Sequence, residues 1–364
     1  MKHFTKQAWI LIGIVSISAG FASCHQESID TRNEVTVVAN DPEAIVDFMN
    51  LKVKKPSGVS KQLLDAKNGE ELLNFFNQKY GGNPQARVAS LNENIPKDVF
   101  YKTLETIIVR YPQLNVQDYS DQALTRIYED FPSLTNEDSV KLYSHEVATY
   151  YERLITNEFQ AELVEVREKF KGAREAFGYS SNNAYVSQLA SQYSVYAYHI
   201  NLAAGDALNW TGEYFGDPLL QGNRADSFRH CVWNAESCRK MFMIGFNKWE
   251  VLMRVREFAT AHEYVTNNGP WYLPVTDAGI MDLHNNCYGR TYMKNTTSTN
   301  LVDRATNVPS QDRIKSEFLY HVNNTNYIKI GNAAYILGLG AGGDINALAN
   351  ANYFGYDYAA ALTF

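Results

Sequence analysis

The chain has few cysteines, and none stands in the spacing of a structural metal site. Its 364 residues contain four cysteines, and the absence of a Cys-x-x-Cys pair removes the commonest structural zinc pattern. After Cys24 only Cys231, Cys238 and Cys287 remain, and three cysteines cannot all pair within one chain. Cys231 and Cys238 would lie about 10 Å apart on one helix, beyond disulfide reach. Disulfides therefore do not hold this protein together.

Excess positive charge and long apolar runs are also lacking. The formal net charge is −7, and no basic stripe is present, so nucleic acid is not expected as a partner. Beyond the N-terminus, no stretch stays apolar over the ~18 residues that a membrane-spanning helix needs. The sequence has no Gly-x-Ser-x-Gly elbow, which disfavours a covalent serine nucleophile. The segment GLGAGGD lacks both the Walker lysine and the Rossmann glycine spacing, so we predict a turn or a packing role there and no nucleotide loop.

The first 23 residues predict a secretory signal peptide. Lysines at positions 2 and 6 precede an apolar run from Ala8 to Val15, and small residues follow. The tail Phe21-Ala22-Ser23-Cys24 resembles a bacterial lipobox, in which the cysteine becomes the lipidated N-terminus after cleavage. Losing two lysines and no acids would change the formal net charge from −7 to −9. We expect a lipoprotein of the cell envelope, anchored to a membrane by a lipid on Cys24, with residues 24–40 as a polar tether.

Helical patterns dominate the rest of the chain. DPEAIVDFMN has the Asp-Pro start of a helix, and NGEELLNFFNQKYGG has an apolar stripe before a glycine pair. Residues 136–177 form one long amphipathic stretch, which we predict to be two helices. Near Asn201 the composition shifts to Trp, Asn, His, Asp and Arg. We predict a mainly α protein with three regions. These are a helical N-terminal region at 41–200, a motif-bearing helical domain at 201–325, and a Gly-, Ala- and Tyr-rich segment at 326–364.

We predict that two helices of the motif-bearing domain contribute polar residues to one site. On the first, Asp226, His230 and Asn234 share one face because they are spaced by four residues, and Trp233 stands three residues after the histidine. On the second, the pair His262-Glu263 lies in the last turns, before Asn268-Gly269-Pro270. A helix end of this kind can open onto a cleft.

A third helix, which Asp277 is expected to cap, carries the densest polar stripe. Asp282, Asn285, Asn286 and Gly289 repeat at i, i+3, i+4 and i+7, and the glycine would allow close approach of a neighbouring helix. Asparagine is a mediocre helix former, so adjacent asparagines within a helix are costly unless their amides are used. One interpretation is a buried hydrogen-bond network that clasps three helices together. The other is an active site, which an open cleft beside the cluster would favour.

The three blocks, taken in order, resemble a known signature. They read Asp226-x-x-Arg229-His230-x-x-Trp233, then His262-Glu263, then Met281-Asp282-x-x-Asn285-Asn286-x-x-Gly289-Arg290. This resembles an uncharacterised bacterial domain family found in exported, wall-associated and toxin-like proteins, over about residues 200–300. The resemblance implies no particular reaction. Members commonly have alanine where Cys231 stands, which places that cysteine outside the shared site.

The residue types in these blocks suit acid–base catalysis on a water molecule. An imidazole titrates near neutrality and a carboxylate can orient it, so the predicted catalytic residues are His230, His262, Glu263 and Asp282. Two histidines and carboxylates also suit a divalent metal such as zinc. The metal signal is weak, because no second histidine follows His262-Glu263 in the spacing His-Glu-x-x-His.

The remaining polar residues of the blocks are expected to contact a substrate: Asp226, Arg229, Trp233, Asn234, Asn285, Asn286 and Arg290. Arg229 and Arg290 would hold an anionic group of a lipid or peptidoglycan, or else pair with a neighbouring aspartate. The amides of Asn285 and Asn286 would donate to charge that develops on the substrate. The sequence thus predicts a hydrolase acting on a cell-envelope substrate. The alternative is a non-catalytic surface lipoprotein in which the cluster is a structural clasp.

Overall fold

The structure is a computed structural model that describes most of the chain after residue 42. The described residues are 43–81, 88–92, 95–170, 183–264, 273, 276–300, 307–324, 328–329, 345–353 and 362–363. They all belong to one compact unit. The expected signal peptide, Cys24 and the tether lie outside the described residues, as do the predicted turn at GLGAGGD and most of the segment 326–364.

The described chain is mainly α-helical, which confirms the predicted fold class. The helices are α1 (Lys61–Asp65), α2 (Gly69–Tyr80), α3 (Val88–Asn92), α4 (Lys97–Ile108), α5 (Asp121–Asp130), α6 (Glu137–Leu142), α7 (Ser144–Phe170), α8 (Ala184–Ala190), α9 (Ser194–Phe215), α10 (Arg224–Ile244), α11 (Lys248–Glu263), α12 (Asp277–Thr296), α13 (Gln311–Asn323) and α14 (Ile345–Asn350). Strands β1 (Ala44–Phe48) and β2 (Leu51–Lys55) pair antiparallel, and the short strands β3 (Ile328–Lys329) and β4 (Leu362–Thr363) pair in parallel.

The predicted helix over DPEAIVDFMN is wrong, because its described part forms strand β1 and the turn that leads into β2. Met49 and Asn50 make the turn with φ angles of 45° and 71°, the conformation of a two-residue turn that matches the twist of paired strands. On β2, Leu51 and Val53 are buried while Lys52 between them is exposed. This alternation is typical of a strand with one face on the core, and it outweighs the helix-opening pair Asp-Pro.

The N-terminal helices pack around α7, which contacts α1, α2, α3, α4 and α6. The edge of the Phe100 ring on α4 meets Phe159 on α7, with ring centroids 4.9 Å apart. Two helices were predicted over residues 136–177, and α6 and α7 occupy the described part of that range with a break at Tyr143. The apolar stripe that ends in a glycine pair is α2, as predicted.

Helix α10 lies at the centre of the C-terminal half. It contacts α9, α11, α12 and α13, and its buried residues occupy all sides. The predicted boundary between residues 200 and 201 falls within α9, which packs against α4 and α7 and also against α10. Helix α9 therefore brings the N-terminal helices next to the motif-bearing ones. Among the described helices, none has both the length and the apolar character of a membrane span.

Helices α10 and α12 meet most closely at Gly289. A Cβ atom built there would overlap the carbonyl oxygen of Cys231 and lie 3.0 Å from the Cβ of Asn234. Only glycine, which has no Cβ, allows this approach. The predicted close approach at Gly289 is therefore present, and it sets the polar faces of the two helices against each other.

Candidate functional site

Local sequence fixes where the three polar helices begin and end. The Asn223 side chain caps α10 by accepting from the N–H groups of Ala225 and Asp226. Helix α12 is capped by Thr276, whose side chain accepts from the N–H of Gly279 at 3.1 Å. Asp277 is thus the first helical residue, where an acid suits the helix dipole, and not the cap that the sequence predicted. His262 and Glu263 are the last two residues of α11, in the last turn as predicted.

His230 lies at the centre of the cluster that these helices form. Its Nδ1 is 3.1 Å from Oδ1 of Asn286. On the other side of the ring, Nε2 is 3.2 Å from Oδ1 of Asp282 and 3.5 Å from Oδ1 of Asp226. The amide of Asn286 also donates to Oε1 of Glu263 at 3.4 Å. Residues from α10, α11 and α12 therefore come together around one imidazole.

A chain of hydrogen bonds fixes which nitrogen of His230 carries a proton toward Asn286. The guanidinium of Arg290 can only donate, and it donates to Oδ1 of Asn234 at 2.6 Å. The nitrogen of Asn234 then donates to Oδ1 of Asn286 at 2.6 Å. Because that oxygen is an acceptor, Nδ1 of His230 must be the donor in its own bond to Asn286. Arg290 thus sets the orientation of two amides and the proton position on His230.

The carboxylates around His230 change its pKa and their own. Burial lowers the pKa of His230, but Asp282, Asp226 and Glu263 outweigh burial and raise it to about 9. Burial would raise the pKa of Asp226, yet the hydrogen bond and charge of His230 hold it below its usual range. Burial raises the pKa of Glu263 and of Asp282, and the nearby His230 opposes both shifts. The cluster is therefore a set of mutually dependent charges.

His230 also lines a cavity of about 340 Å³ between α4, α9, α10 and α11. The other polar and aromatic lining residues are Lys97, Tyr101, Asn201, Arg229, Trp233, Phe258, His262 and Glu263. The edge of the His262 ring meets Trp233, with ring centroids 5.2 Å apart. No sequence pattern marks Lys97, Tyr101 or Asn201, because they stand outside the three motif blocks and reach the site only through the packing of α4 and α9.

The predicted site residues fall into two groups. The cavity group, which lines the cavity, consists of Arg229, His230, Trp233, His262 and Glu263. The buried group, whose members are 0–2% exposed, consists of Asn234, Asn285, Asn286 and Arg290. Asp226 and Asp282 stand beside His230, and the cavity lining does not include them.

The position of the buried group differs from the expectation that its members contact a substrate. Their polar atoms bond within the protein: Asn285 donates to Oγ of Ser227 at 2.8 Å, and Arg290 donates to the carbonyls of Ala351 and Asn352, both at 2.9 Å. Side chains that are hydrogen-bonded to other parts of the protein in this way hold the helices of the site in place. The expectation that all the polar residues share one cavity thus fits only the cavity group.

The two arginines of the motif are not placed to hold an anion. Arg229 forms an ion pair with Asp226 and donates to the carbonyls of Pro218 and Leu220 at 2.9 and 3.0 Å. It therefore follows the alternative of pairing with a neighbouring aspartate. Lys97 is the lysine of the cavity lining, and within the described part of the chain no carboxylate pairs with it.

Three groups of the cluster have ligand atoms that converge. Asp226, His230 and Asp282 each offer one atom, and these atoms all lie within 4.8 Å of one another. Among the described residues, this set replaces the predicted one, because Asp226 takes the place expected for His262 and Glu263. One nitrogen and two carboxylate oxygens are ligand types that divalent metals accept in proteins.

The cysteines stand apart from this chemistry. Cys231, Cys238 and Cys287 are free and buried, so Cys231 and Cys238 are not bonded to each other, as predicted. Burial raises the pKa of Cys238 to about 12 and that of Cys287 to about 11. Thiols held protonated in this way are poor nucleophiles at neutral pH.

A larger cavity, of about 460 Å³, lies along α8 and α11. Arg254 and Glu257 in its lining pair with each other at 2.6 Å, and none of the clustered histidines or aspartates lines it. Size alone does not make a site, since chemistry needs converging groups that can transfer protons or bind ions. The smaller cavity beside His230 has such groups, so it is the candidate site.

Comparison with known proteins identifies a family model that covers part of the chain. No curated protein and no solved structure matches the chain. Residues 187–317 match a family model described as a domain of unknown function (DUF6973). The matched range contains all of the cavity group and the buried group, as well as Asp226 and Asp282. This part of the chain is therefore similar to an uncharacterised domain family, in agreement with the resemblance of its three sequence blocks.

Proposed function

We propose that the protein is a hydrolase of the bacterial cell envelope that activates a water molecule in the cavity beside His230. One observation carries the proposal: an imidazole at the cavity wall is held through Nδ1 by Asn286 and has two carboxylates at 3.2 and 3.5 Å from Nε2. An imidazole whose ring is fixed and whose charge is balanced suits proton transfer to a bound substrate.

The roles follow from position in the cavity. Glu263 receives one hydrogen bond from Asn286 on Oε1, which leaves its other oxygen to accept a proton from water. His230 donates a proton to the leaving group, and Asp226 and Asp282 hold its ring. His262, exposed at the end of α11 and against Trp233, is the second residue that can exchange a proton with water or substrate.

The cavity lining suggests the chemical class of the substrate. Lys97 supplies a positive charge, and Tyr101, Trp233 and Phe258 supply aromatic surface. A volume of about 340 Å³ suits a group of small-molecule size and not a whole polymer. An anionic group attached to apolar or sugar-like parts, as in a phospholipid or a peptidoglycan fragment, fits this combination.

Location in the envelope is part of the proposal. The N-terminal signal pattern and the lipobox-like tail around Cys24 favour export and anchoring to a membrane by lipid, with the domain next to its substrate. Metabolic labelling with a fatty acid tests this directly. Label should attach to the wild type and not to Cys24→Ala, and label that persists in the variant would contradict lipidation at Cys24.

A non-catalytic surface lipoprotein is the second candidate, and the buried group favours it. Asn234, Asn286 and Arg290 are almost completely buried and bonded to one another, as expected of a clasp between helices. A clasp alone has no use for the carboxylate and histidine exposed to the cavity. The two candidates thus differ in whether substitutions in the cavity group change hydrolysis or change only the stability of the fold.

A hydrolysis assay on phospholipid vesicles and peptidoglycan tests the first candidate. Glu263→Gln and His230→Gln should each lower the rate by about 100-fold or more. His321→Gln is the matched control, because His321 pairs with Glu317 at 3.0 Å and does not line this cavity, and it should keep the rate. Full activity in Glu263→Gln and His230→Gln, or no hydrolysis of either substrate by the wild type, would contradict the proposal.

A further inference from the structure

The distances around His230 match the edges of a metal coordination shell. Oδ1 of Asp226 and Oδ1 of Asp282 lie 3.5 and 3.2 Å from Nε2 of His230, and the three atoms are all within 4.8 Å of one another. A tetrahedral ion with bonds of ~2.0–2.2 Å holds neighbouring ligand atoms roughly 3.3–3.6 Å apart. The two measured separations from Nε2 fit this spacing with small shifts.

The protein also sets the orientation of His230 that a metal ligand needs. Because Arg290, Asn234 and Asn286 require Nδ1 to donate, the neutral imidazole carries its lone pair on Nε2. That lone pair faces the two carboxylates. Histidines that bind metals usually donate their other N–H to a protein acceptor, which fixes the tautomer. The hydrogen-bond chain from Arg290 supplies this arrangement.

Asp282 provides a separate indication. Its Oδ1 atom is buried and receives no hydrogen bond from the described residues, although Nε2 of His230 is 3.2 Å away. Buried carboxylate oxygens are normally hydrogen-bonded, since desolvation without a partner costs free energy. A cation between Asp282 and His230 would supply the missing partner.

We propose that Asp226, His230 and Asp282 bind one divalent transition-metal ion, Zn²⁺ or Mn²⁺. The mixed nitrogen and oxygen ligands favour such ions over Ca²⁺ and Mg²⁺, which prefer oxygen alone. Two other charges face the site: Arg229 shares Asp226 and opposes a cation, whereas Glu263 adds negative charge beside His230. The two aspartates balance the ion, and the three protein ligands leave a position for water or substrate. This site stands on geometry and does not depend on the proposed hydrolysis; with an ion bound, Nε2 of His230 would be a ligand and not a proton donor, and His262 would donate the proton to the leaving group.

Calorimetric titration of the purified full chain with ZnCl₂ and with MnCl₂, after removal of metal by a chelator, tests the site. The wild type should bind one ion of at least one of the two metals. Asp226→Asn and Asp282→Asn, which keep side-chain size, should each weaken binding by more than about 10-fold. Glu317→Gln removes a carboxylate that pairs with His321 away from this site and is the matched control, so its affinity should equal that of the wild type.

Nitrogen NMR of labelled histidine gives a second measurement that needs no substrate. On addition of diamagnetic Zn²⁺, Nε2 of His230 should shift as a ligand nitrogen, while Nδ1 stays protonated. Absence of binding heat for both metals, or unchanged affinity in Asp282→Asn, would overturn the site. Binding that is retained by a protein without hydrolytic activity would overturn the hydrolase proposal and leave the metal site standing.

Discussion

The cavity group lies on α10 and α11 and the buried group on α10 and α12, and the two groups differ in whether their side chains reach the cavity. Arg229, His230, Trp233, His262 and Glu263 line a cavity, whereas the amides and guanidinium of the buried group bond to protein atoms. The difference shows that polar residues of neighbouring sequence blocks can divide into residues that line a cavity and residues that support them. The hydrogen-bond chain from Arg290 to His230 connects the two groups, because it decides which imidazole nitrogen is free for chemistry.

The support role of the buried group predicts the largest loss of stability. Arg290→Ala removes donors to Asn234, Ala351 and Asn352 and leaves one buried and two half-buried acceptors without this partner. Each hydrogen bond from a charged donor is worth about 1.5–3 kcal/mol, so the free energy of unfolding should fall by more than about 3 kcal/mol. Urea denaturation followed by circular dichroism measures this change.

An arginine on the surface is the control for that measurement. Arg110 is 44% exposed and pairs with Glu158 and Glu162 on the surface of α7. Arg110→Ala should change the free energy of unfolding by less than about 1 kcal/mol, because exposed ion pairs contribute little. If Arg290→Ala behaved like Arg110→Ala, Arg290 would not be a supporting residue and the division into two groups would fail.

The close contact of α10 and α12 predicts a smaller effect. Gly289→Ala forces a methyl group against the carbonyl of Cys231, and overpacking of this kind costs about 1–3 kcal/mol. Gly205→Ala on α9 is the matched control, since nothing lies within 4 Å of a Cβ there. This control should stabilise the protein by about 0.4–1 kcal/mol, because alanine restricts the unfolded chain. Equal unfolding free energies for the two variants would contradict the close contact.

The sequence predicted which polar side chains would share a helix face, but not which of them line the cavity and which are buried. Spacing by three and four residues placed Asp226, His230 and Asn234 on one face of α10, and the helical repeat brought Asp282 and Asn286 together on α12. Such periodicity shows which side chains share a face and does not show what covers that face. Burial of Asn285 and Arg290 depends on residues distant in sequence, such as Ser227 and Asn352. This burial therefore follows from the packing of the helices and not from the local sequence.

Two other features lay outside what local patterns can show. Lys97 enters the cavity because α4 packs against α9, and no motif in its own segment marks it. Strand β1 and the turn after it were predicted as a helix because an Asp-Pro pair is a strong start signal. Pairing with the next strand and burial of Leu51 and Val53 favour the extended conformation instead. In both cases tertiary contacts outweigh local preference.

The smallest effect on stability is expected for two residues of the cavity group, Glu263 and His262. Glu263→Gln keeps an oxygen that can accept from Asn286, and it replaces a carboxylate whose pKa burial raises with a neutral side chain. His262→Gln changes an exposed residue at the end of α11. Substitutions away from packed or networked positions usually change the free energy of unfolding by less than about 0.5 kcal/mol. Both variants should therefore unfold at nearly the same urea concentration as the wild type.

This near-neutral result separates the two candidate functions when it is combined with the activity assay. A catalytic cavity group predicts that Glu263→Gln loses hydrolysis while its unfolding curve overlays that of the wild type. A structural clasp that includes Glu263 predicts instead a loss of about 1–3 kcal/mol, since the amide of Asn286 would be left with a weaker partner. The midpoint and slope of the urea unfolding curve distinguish the two outcomes. If the slope is unchanged, a shift of the midpoint measures a change in the free energy of unfolding. A clear loss of stability in Glu263→Gln would make Glu263 a supporting residue and contradict its catalytic assignment.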